Sequence, residues 1–327
     1  MLRCISNDCF LASIAARAFD WRNAHGGQAP TFLKVDVPLW YHQAYESRRK
    51  EGQSVEQIAP HVYRLHINDT HAFHPGGTNI YFVGDPSEEM VLIDTGEQDR
   101  QWTRQILDAY GELGRPRMAA ILITHGHLDH IGGLDRIQDV MQTSVLCHPK
   151  LVKRLVPFLG EEAVTGLRSR QRIRAGGQVA LEARFTPGHA EEHVCFFLRK
   201  QRIAFTGDTI LGSSTSTVQD LSTYMRSLAL IQQFGPSIIC PAHGKVVANA
   251  QGWVDGYVDH RNMRERQVVD ALRRGISDVD QMVRAIYPKN LKRALRGAAA
   301  GNVRQHLTKL QKEGLVAEQP TRYVLKA

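Results

Sequence analysis

The chain has 327 residues, 43% of them hydrophobic and 23% charged, a composition typical of a globular protein with room for one large and one small domain. No stretch approaches the roughly twenty apolar residues that cross a bilayer, so no membrane partner is expected. The five cysteines lack C-x-x-C spacing, which excludes a disulfide framework and indicates reduced thiols. Cys240, three residues before His243, keeps a metal role open, although its apolar run favours buried packing.

Residues 1–60 are predicted to form an N-terminal extension. Its first part, Met1–Phe19, has two arginines and few acids, as organelle-targeting segments do, but it lacks the long apolar core of a secretory signal. An amphipathic extension packed on the domain is favoured, with a helix over Val37–Glu56. The favoured location is therefore cytoplasmic, with the mitochondrial matrix as the alternative.

The central region, residues 61–248, alternates strand-like apolar runs with helical segments. In chain order, the predicted elements are strands at Val62–Ile67, Asn79–Val83 and Met90–Ile93, a helix over Asp99–Tyr110, strands at Ala119–Ile123, near Phe185, at Val194–Leu198 and at Ile203–Phe205, and a helix over Gln219–Phe234.

The tail, residues 249–327, has the element order of a winged helix. The predicted elements are helices over Asn249–Arg274, Asp278–Tyr287 (capped at Ser277) and Asn302–Glu313, then strands at Leu315–Glu318 and Arg322–Leu325. From residue 262 onward the tail carries the whole net charge of +8, because the first 261 residues hold 27 basic and 27 acidic side chains. This asymmetry indicates an anionic partner. The candidate phosphate contacts are Lys292, Arg293, Arg296, Arg304 and Lys309, and the alternatives are a solvated basic face and a protein-docking module.

The segment Thr124–His130 concentrates three histidines and an aspartate directly after the apolar strand at Ala119–Ile123. Imidazoles and carboxylates are the ligands that zinc and similar metals prefer. Four such groups exceed what one open catalytic site needs from a single loop, so two metal ions are predicted. His189, Asp208 and His243 each lie in a turn after a short apolar run, as ligands presented at one edge of a sheet would.

In this order, these residues resemble the ligand set of the metallo-β-lactamase superfamily. The resemblance implies an α/β fold, a four-layered αββα sandwich with a metal site at one edge. It implies that one metal is bound by His125, His127 and His189, the other by Asp129, His130 and His243, and that Asp208 bridges the two. Asp94 matches the family's buried aspartate that supports the histidine loop, although a simple strand-end turn would also explain it.

Four segments resemble, more narrowly, the β-lactamase-like protein 2 branch of this superfamily: Gly76–Tyr81, Thr186–His193, Asp208–Leu228 and Tyr257–Asn262. The branch implies a C-terminal winged helix, and its animal member is an endoribonuclease for single-stranded RNA. Similar sequences include thioesterases of polyketide pathways. The chain departs from the animal protein at Gly126, where that protein has tryptophan, and in its extra N-terminal residues.

The chemistry expected of such a site is hydrolysis, because a bound metal ion lowers the pKa of water from 15.7 to about 7. Asp129 is the candidate group to orient the attacking water or accept its proton. His193 is a candidate proton donor or substrate contact, with a supporting role as the alternative. By resemblance Asn79 is a candidate substrate contact, and Tyr224 is another if its helix reaches the mouth of the site instead of packing in the core.

The leading functional hypothesis is an endoribonuclease acting on single-stranded RNA. The alternatives are a thioesterase acting on a small-molecule or carrier-bound acyl group and, less favoured, an idle metal-binding protein. Two Zn²⁺ ions are the expected cofactors, with Mn²⁺ or Fe as alternatives. Oligomeric state is not predicted.

Overall fold

The computed structural model describes residues 54–69, 76–291, 293–319 and 322–325. Two sheets form the centre of the described chain. The first has seven strands in sequence order: β1 (Val55–Ala59), β2 (Val62–Ile67), β3 (Thr78–Asp85), β4 (Glu89–Ile93), β5 (Arg117–Leu122), β6 (Val145–Cys147) and β7 (Val164–Gly166). The second has the order β12-β11-β10-β9-β8, with β8 (Arg172–Ala175), β9 (Val179–Phe185), β10 (Val194–Leu198), β11 (Ile203–Gly207) and β12 (Ile238–Pro241).

Helices cover the outer faces of both sheets. On the first sheet lie α1 (Arg100–Glu112), α2 (Leu128–Ile131), α3 (Leu134–Met141) and α4 (Pro149–Leu159). On the second lie α5 (Leu221–Phe234) and the first half of α6 (Ala250–Arg273). The sheets pack face to face through side chains such as Tyr81 and Phe205, whose ring centroids are 5.2 Å apart. The predicted αββα sandwich is confirmed.

Strand β4 shows how the sequence produces these layers. All four residues from Met90 to Ile93 are buried, because the strand is covered on both faces. Val91 and Ile93 point into the core between the sheets, while Met90 and Leu92 point toward the helices. This alternation follows from the two-residue period of a strand.

The tail forms its own small core. It contains the second half of α6, α7 (Val279–Ile286), α8 (Arg296–Lys312) and a hairpin of β13 (Val316–Gln319) and β14 (Arg322–Leu325). The hairpin is antiparallel, with Val316 opposite Leu325. The predicted winged helix is therefore confirmed.

Several predicted boundaries were wrong. Strand β1 pairs with β2, so the first sheet begins before residue 61, and the helix predicted over Val37–Glu56 overlaps this strand at its end. The rest of the predicted N-terminal extension lies outside the described residues. Helix α7 is capped by Asp278, whose side chain accepts from the Gln281 backbone N–H at 2.9 Å, and not by Ser277. Helix α8 begins at Arg296, six residues before its predicted start.

No helix in the described ranges combines the length and the apolar composition that crossing a membrane requires.

The three cysteines described, Cys147, Cys195 and Cys240, are buried and form no disulfide. Cys240 lies within β12, where burial raises the pKa of its thiol, and it belongs to neither of the metal-ligand clusters found among the described residues. The buried-packing interpretation of Cys240 is therefore supported.

Candidate metal centre

Asp94 holds the histidine loop at the end of β5. It follows β4 directly, is 2% exposed and has a positive φ of 61°. Its Oδ1 accepts from the Thr124 backbone N–H at 2.8 Å, and its Oδ2 accepts from the Thr124 hydroxyl at 2.8 Å. The same Oδ2 accepts from His130 Nδ1 at 2.8 Å. One carboxylate thus ties the start of the loop to its last histidine.

The first cluster brings together His125, His127, His189 and Asp208. His125 Nε2 lies 2.9 Å from His127 Nδ1, and His189 Nε2 lies 3.2 Å and 3.1 Å from those two atoms. The Asp208 Oδ2 completes the group at 3.5 Å from His189 Nε2. A tetrahedral zinc site with Zn–N bonds of about 2.0–2.1 Å needs ligand nitrogens separated by about 3.3 Å. The cluster therefore has the dimensions of a metal-coordination sphere.

The second cluster uses the other oxygen of the same aspartate. It contains Asp129, His130, Asp208 and His243. Asp208 Oδ1 lies 3.6 Å from His130 Nε2 and 3.4 Å from His243 Nε2. Asp129 Oδ2 lies 3.4 Å and 3.1 Å from the same two nitrogens. Asp208 therefore belongs to both clusters, which is the position of a bridging ligand.

Two atoms of the second cluster test whether it suits a cation. His130 Nε2 and Asp208 Oδ1 are buried, and neither forms a hydrogen bond with any residue in the described ranges. Buried polar atoms without a partner are rare in native proteins and call for an explanation such as a bound ion. These residues fit a metal ion, because the unsatisfied atoms are a ring nitrogen and a carboxylate oxygen that lie 3.6 Å apart.

The outer ring nitrogens of His189 and His243 are also bound, which fixes these two rings. His189 Nδ1 donates to the Thr217 carbonyl at 2.9 Å, and His243 Nδ1 approaches the Gly77 carbonyl at 3.3 Å. Such contacts orient a ligating histidine and set its tautomer. Both partners lie in segments that carry the resemblance, Gly77 in Gly76–Tyr81 and Thr217 in Asp208–Leu228. No spacing rule in the sequence links either of them to its histidine.

The electrostatics of the two clusters differ. In the first, burial and the neighbouring His189 lower the pKa of His127 to about 4. Burial, together with the charge of His130, holds the pKa of His125 well below its ordinary range. These two histidines are therefore neutral at pH 7 and present free lone pairs to a metal.

In the second cluster the combined charges of the carboxylates affect the histidine pKa values more than burial does. Burial opposes protonation of His130, but the charges of Asp129 and Asp94 hold its pKa well above the ordinary range. Burial likewise opposes protonation of His243, and Asp208 outweighs it and raises the pKa. In the metal-free protein both histidines are therefore protonated to higher pH than a free imidazole.

We expect the two clusters to bind zinc with different pH dependence. Zinc must displace protons from His130 and His243, so affinity in the second cluster rises with pH until their raised pKa values are passed. The first cluster is less sensitive, because His127 loses its proton near pH 4. Calorimetric titration at about pH 6 and about pH 8, in buffers of different ionisation enthalpy, measures the protons released. Equal proton release by the two equivalents of zinc would contradict this assignment.

The proton-donor role considered for His193 is not supported. The side chain is fully buried, with its ring centroid 5.0 Å from that of His125. Its Nε2 accepts from the Asp208 backbone N–H at 3.1 Å, which leaves the proton on Nδ1, 2.9 Å from the Thr186 hydroxyl. His193 therefore binds the backbone of Asp208 from the protein interior and does not face substrate.

Two predicted substrate contacts are also corrected. Asn79 is 1% exposed, and its Nδ2 donates to the carbonyls of Pro241 and Gly244 at 2.9 and 2.8 Å, so it anchors the loop that carries His243. Tyr224 is fully buried, and its hydroxyl donates to the Thr209 carbonyl at 2.7 Å. The core-packing interpretation of Tyr224 was therefore the correct one.

The basic residues of the tail fall into two groups. Lys309 has a side chain only 13% exposed and lies 2.8 Å from both Glu265 and Glu313, so its charge is balanced within the protein. Three others are exposed: Arg293, Arg296 and Arg304. The remaining candidate, Lys292, lies outside the described residues. The predicted phosphate-binding face is therefore smaller than the sequence indicates.

Fold and site together describe a sandwich of two packed sheets that carries two clusters of potential metal ligands. The sequence profile of the metallo-beta-lactamase superfamily matches residues 74–243, and that of the beta-lactamase associated winged helix domain matches residues 279–322. The chain belongs to the metallo-β-lactamase superfamily and carries this winged helix domain at its C-terminal end.

Several known proteins are similar to the chain. An atrochrysone carboxyl ACP thioesterase of Aspergillus fumigatus is 35% identical over 226 residues, which cover 67% of each protein. A beta-lactamase-like protein 2 homolog of Caenorhabditis elegans is 31% identical over 275 residues, 81% of this chain and 88% of the relative. The crystal structure of a beta-lactamase domain protein from Burkholderia ambifaria superposes with a TM-score of 0.69 at 16% identity, covering 88% of this chain and 99% of that one. This last likeness supports the fold alone.

Proposed function

We propose that the protein is a metal-dependent hydrolase that cleaves acyl thioesters presented by a carrier protein. The observation that carries the hydrolase assignment is the placement of Asp208 in both ligand clusters. The thioester assignment is supported by the similarity to an ACP thioesterase. It is also supported by Lys309 and Lys312, which pair with carboxylates of the protein instead of forming a free phosphate-binding face.

Zinc is the proposed occupant, because both clusters combine imidazoles with carboxylates, although manganese or iron can use the same ligands. When bound, paired ions of this kind lower the pKa of water and stabilise negative charge on the leaving atom. The open side of the centre is marked by Leu128, which is 65% exposed between His127 and Asp129. Asp129, whose side chain is 14% exposed, orients the attacking water from this side and accepts its proton.

A second candidate function is endonucleolytic cleavage of single-stranded RNA, the leading hypothesis from the sequence. The net charge of the tail favours it, as do the exposed side chains of Arg293, Arg296 and Arg304. Phosphate contacts of this kind predict that RNA affinity falls steeply as salt is added. The logarithm of the affinity should fall linearly with the logarithm of the salt concentration, with a slope of about −0.7 for each phosphate contacted on a single strand.

The two functions are separated by offering both substrates to one zinc-loaded preparation. We expect turnover of acyl groups on a carrier protein, and of short acyl thioesters more slowly, while labelled single-stranded RNA stays intact. The Asp208→Asn variant is the control for contaminating activity. Cleavage of RNA that is lost in this variant, with the thioesters untouched, would contradict the thioesterase proposal and favour the second candidate. Tight zinc binding with neither reaction would favour a binding protein.

A further inference from the structure

The loop over residues 211–217 connects the bridging aspartate to α5, and it also holds His189. The Thr217 carbonyl accepts from His189 Nδ1 at 2.9 Å, and the Ser216 hydroxyl lies 3.1 Å from the same nitrogen. The Ser216 hydroxyl and the Thr217 carbonyl therefore set the rotation of the His189 ring. Whatever fixes the chain at Ser216 and Thr217 also fixes the direction in which His189 Nε2 points.

Helix α6, which leads into the winged helix, contacts this loop along one face. Trp253 and Tyr257, spaced four residues apart, lie on the same face of the helix. Trp253 Nε1 donates to the Leu211 carbonyl at 2.9 Å. The Tyr257 hydroxyl accepts from the Leu211 N–H at 2.9 Å and donates to the Ser214 carbonyl at 2.5 Å. Both side chains thus supply hydrogen-bond partners for backbone groups of this partly buried loop.

Arg261 continues the same face one turn later and reaches the end of the loop. Its Nη2 donates to the Ser216 carbonyl at 2.6 Å, and its guanidinium lies 5.3 Å from the centre of the Tyr224 ring. The residue is 5% exposed, and its Nε is buried with no hydrogen bond to a described residue. Burying a guanidinium costs free energy unless its charge is paired and its N–H groups are hydrogen-bonded. If this contact served only to stabilise the fold, an apolar side chain could be buried here at a lower cost in free energy.

The tail also supports the other side of His189. The Gly188 carbonyl accepts from the backbone N–H groups of Gln219 and Asp220 at 2.7 and 3.1 Å. Asp220 in turn pairs with Lys312 of α8 at 2.5 Å. Gly188 has a φ of 136°, and a Cβ there would lie 2.4 Å from Tyr224 Cα, so the chain can pass only as glycine. The partly exposed ion pair contributes little by itself, which leaves the α6 contacts as the stronger connection.

We propose that Arg261, assisted by Tyr257, is a positioning residue for the metal ligand His189. Arg261 binds the Ser216 carbonyl, and His189 binds the carbonyl of the next residue, Thr217. The winged-helix domain is thereby coupled to the first metal cluster through α6. This role concerns metal binding and is independent of which substrate is hydrolysed.

The test measures zinc affinity by competition with a chromophoric chelator and records the visible spectrum of the cobalt-substituted protein. We expect Arg261→Met to lower the affinity for one of the two zinc ions by about 10–100-fold, as the loss of a residue that hydrogen-bonds a metal ligand does. The cobalt bands assigned to that ion should shift. Arg261→Lys keeps a donor for the Ser216 carbonyl and should recover most of the affinity. Arg266→Met, at an exposed position of the same helix, should bind zinc as the parent does.

The proposal is wrong if folded Arg261→Met binds two zinc ions with parental affinity and an unchanged cobalt spectrum. Should this variant fail to fold, Tyr257→Phe decides the question, because it keeps the ring and removes only the hydroxyl bonded to Leu211 and Ser214. We expect this variant to lower the affinity for the same zinc ion several-fold. Parental affinity in Tyr257→Phe would equally overturn the positioning role of this helix face.

Discussion

Replacing Asp208 with asparagine is expected to empty both metal clusters at limiting zinc and to lower kcat by more than about 100-fold, beyond what loss of an outer-shell partner costs. The reason is that each carboxylate oxygen serves a different cluster, 3.5 Å from His189 Nε2 and 3.4 Å from His243 Nε2. Asparagine has nearly the same shape, but it has no charge and one of its two atoms is a donor. Elemental analysis of zinc per chain and steady-state kinetics on the same preparation measure both effects.

Asp129→Asn is the matched control, because Asp129 belongs to the second cluster alone. We expect this variant to retain one zinc ion, held by the first cluster, and to lose activity. If Asp208→Asn also retained one ion at parental affinity, Asp208 would be a ligand of a single metal and the bridging assignment would be wrong.

Replacing Asp94 with alanine is expected to lower the free energy of unfolding of the metal-free protein by at least about 3 kcal/mol. Three buried donors lose their acceptor: the Thr124 N–H, the Thr124 hydroxyl and His130 Nδ1. Each unsatisfied buried group costs about 1–3 kcal/mol. The positive φ of 61° adds a further cost for alanine, whereas aspartate and asparagine tolerate this region. Denaturant unfolding in the presence of a chelator measures the change.

Two further variants make the Asp94 result interpretable. Asp94→Asn keeps the backbone preference and one acceptor, so we expect a smaller loss than for alanine. Asp108→Ala, at an exposed position of α1, should change the free energy by no more than about 0.5 kcal/mol. A loss below about 1 kcal/mol in Asp94→Ala would show that the histidine loop does not depend on this carboxylate.

The candidate metal ligands could be predicted from the sequence because each follows an apolar strand, and strands that lie side by side present their ends at one edge of a sheet. The resemblance added the pairing of ligands, which no spacing rule gives. The structure brings all seven of these residues into two groups that share Asp208. Strands such as Val62–Ile67 and Val194–Leu198 were predicted with their observed bounds, because alternation and apolar runs are strong signals.

What the sequence could not provide is the partner of a polar side chain far along the chain. Lys309 was predicted as a phosphate contact, but Glu265 lies on a helix 44 residues earlier and neutralises it. Asn79 was predicted to meet substrate, but its amide binds a loop more than 160 residues away. Helical spacing placed Tyr224 on an apolar face, yet it could not show that α6 covers this face.

Short elements were missed for a different reason. Strands β6, β7 and β8 have three or four residues each, and α3 has eight. A period of two or 3.6 residues is not measurable over such lengths, so pairing with neighbouring strands determines these elements. Helix α8 was predicted too short, because two glycines near its start weaken the helical signal that tertiary packing overrides.

The central claim is that this protein holds two adjacent metal ions bridged by Asp208, and crystallography of the zinc-loaded protein tests it most directly. Diffraction on both sides of the zinc absorption edge locates each ion independently of the protein atoms. We expect two anomalous peaks about 3.5–4 Å apart, one among His125, His127 and His189 and the other among Asp129, His130 and His243. A single peak, or two peaks of which only one contacts Asp208, would contradict the claim.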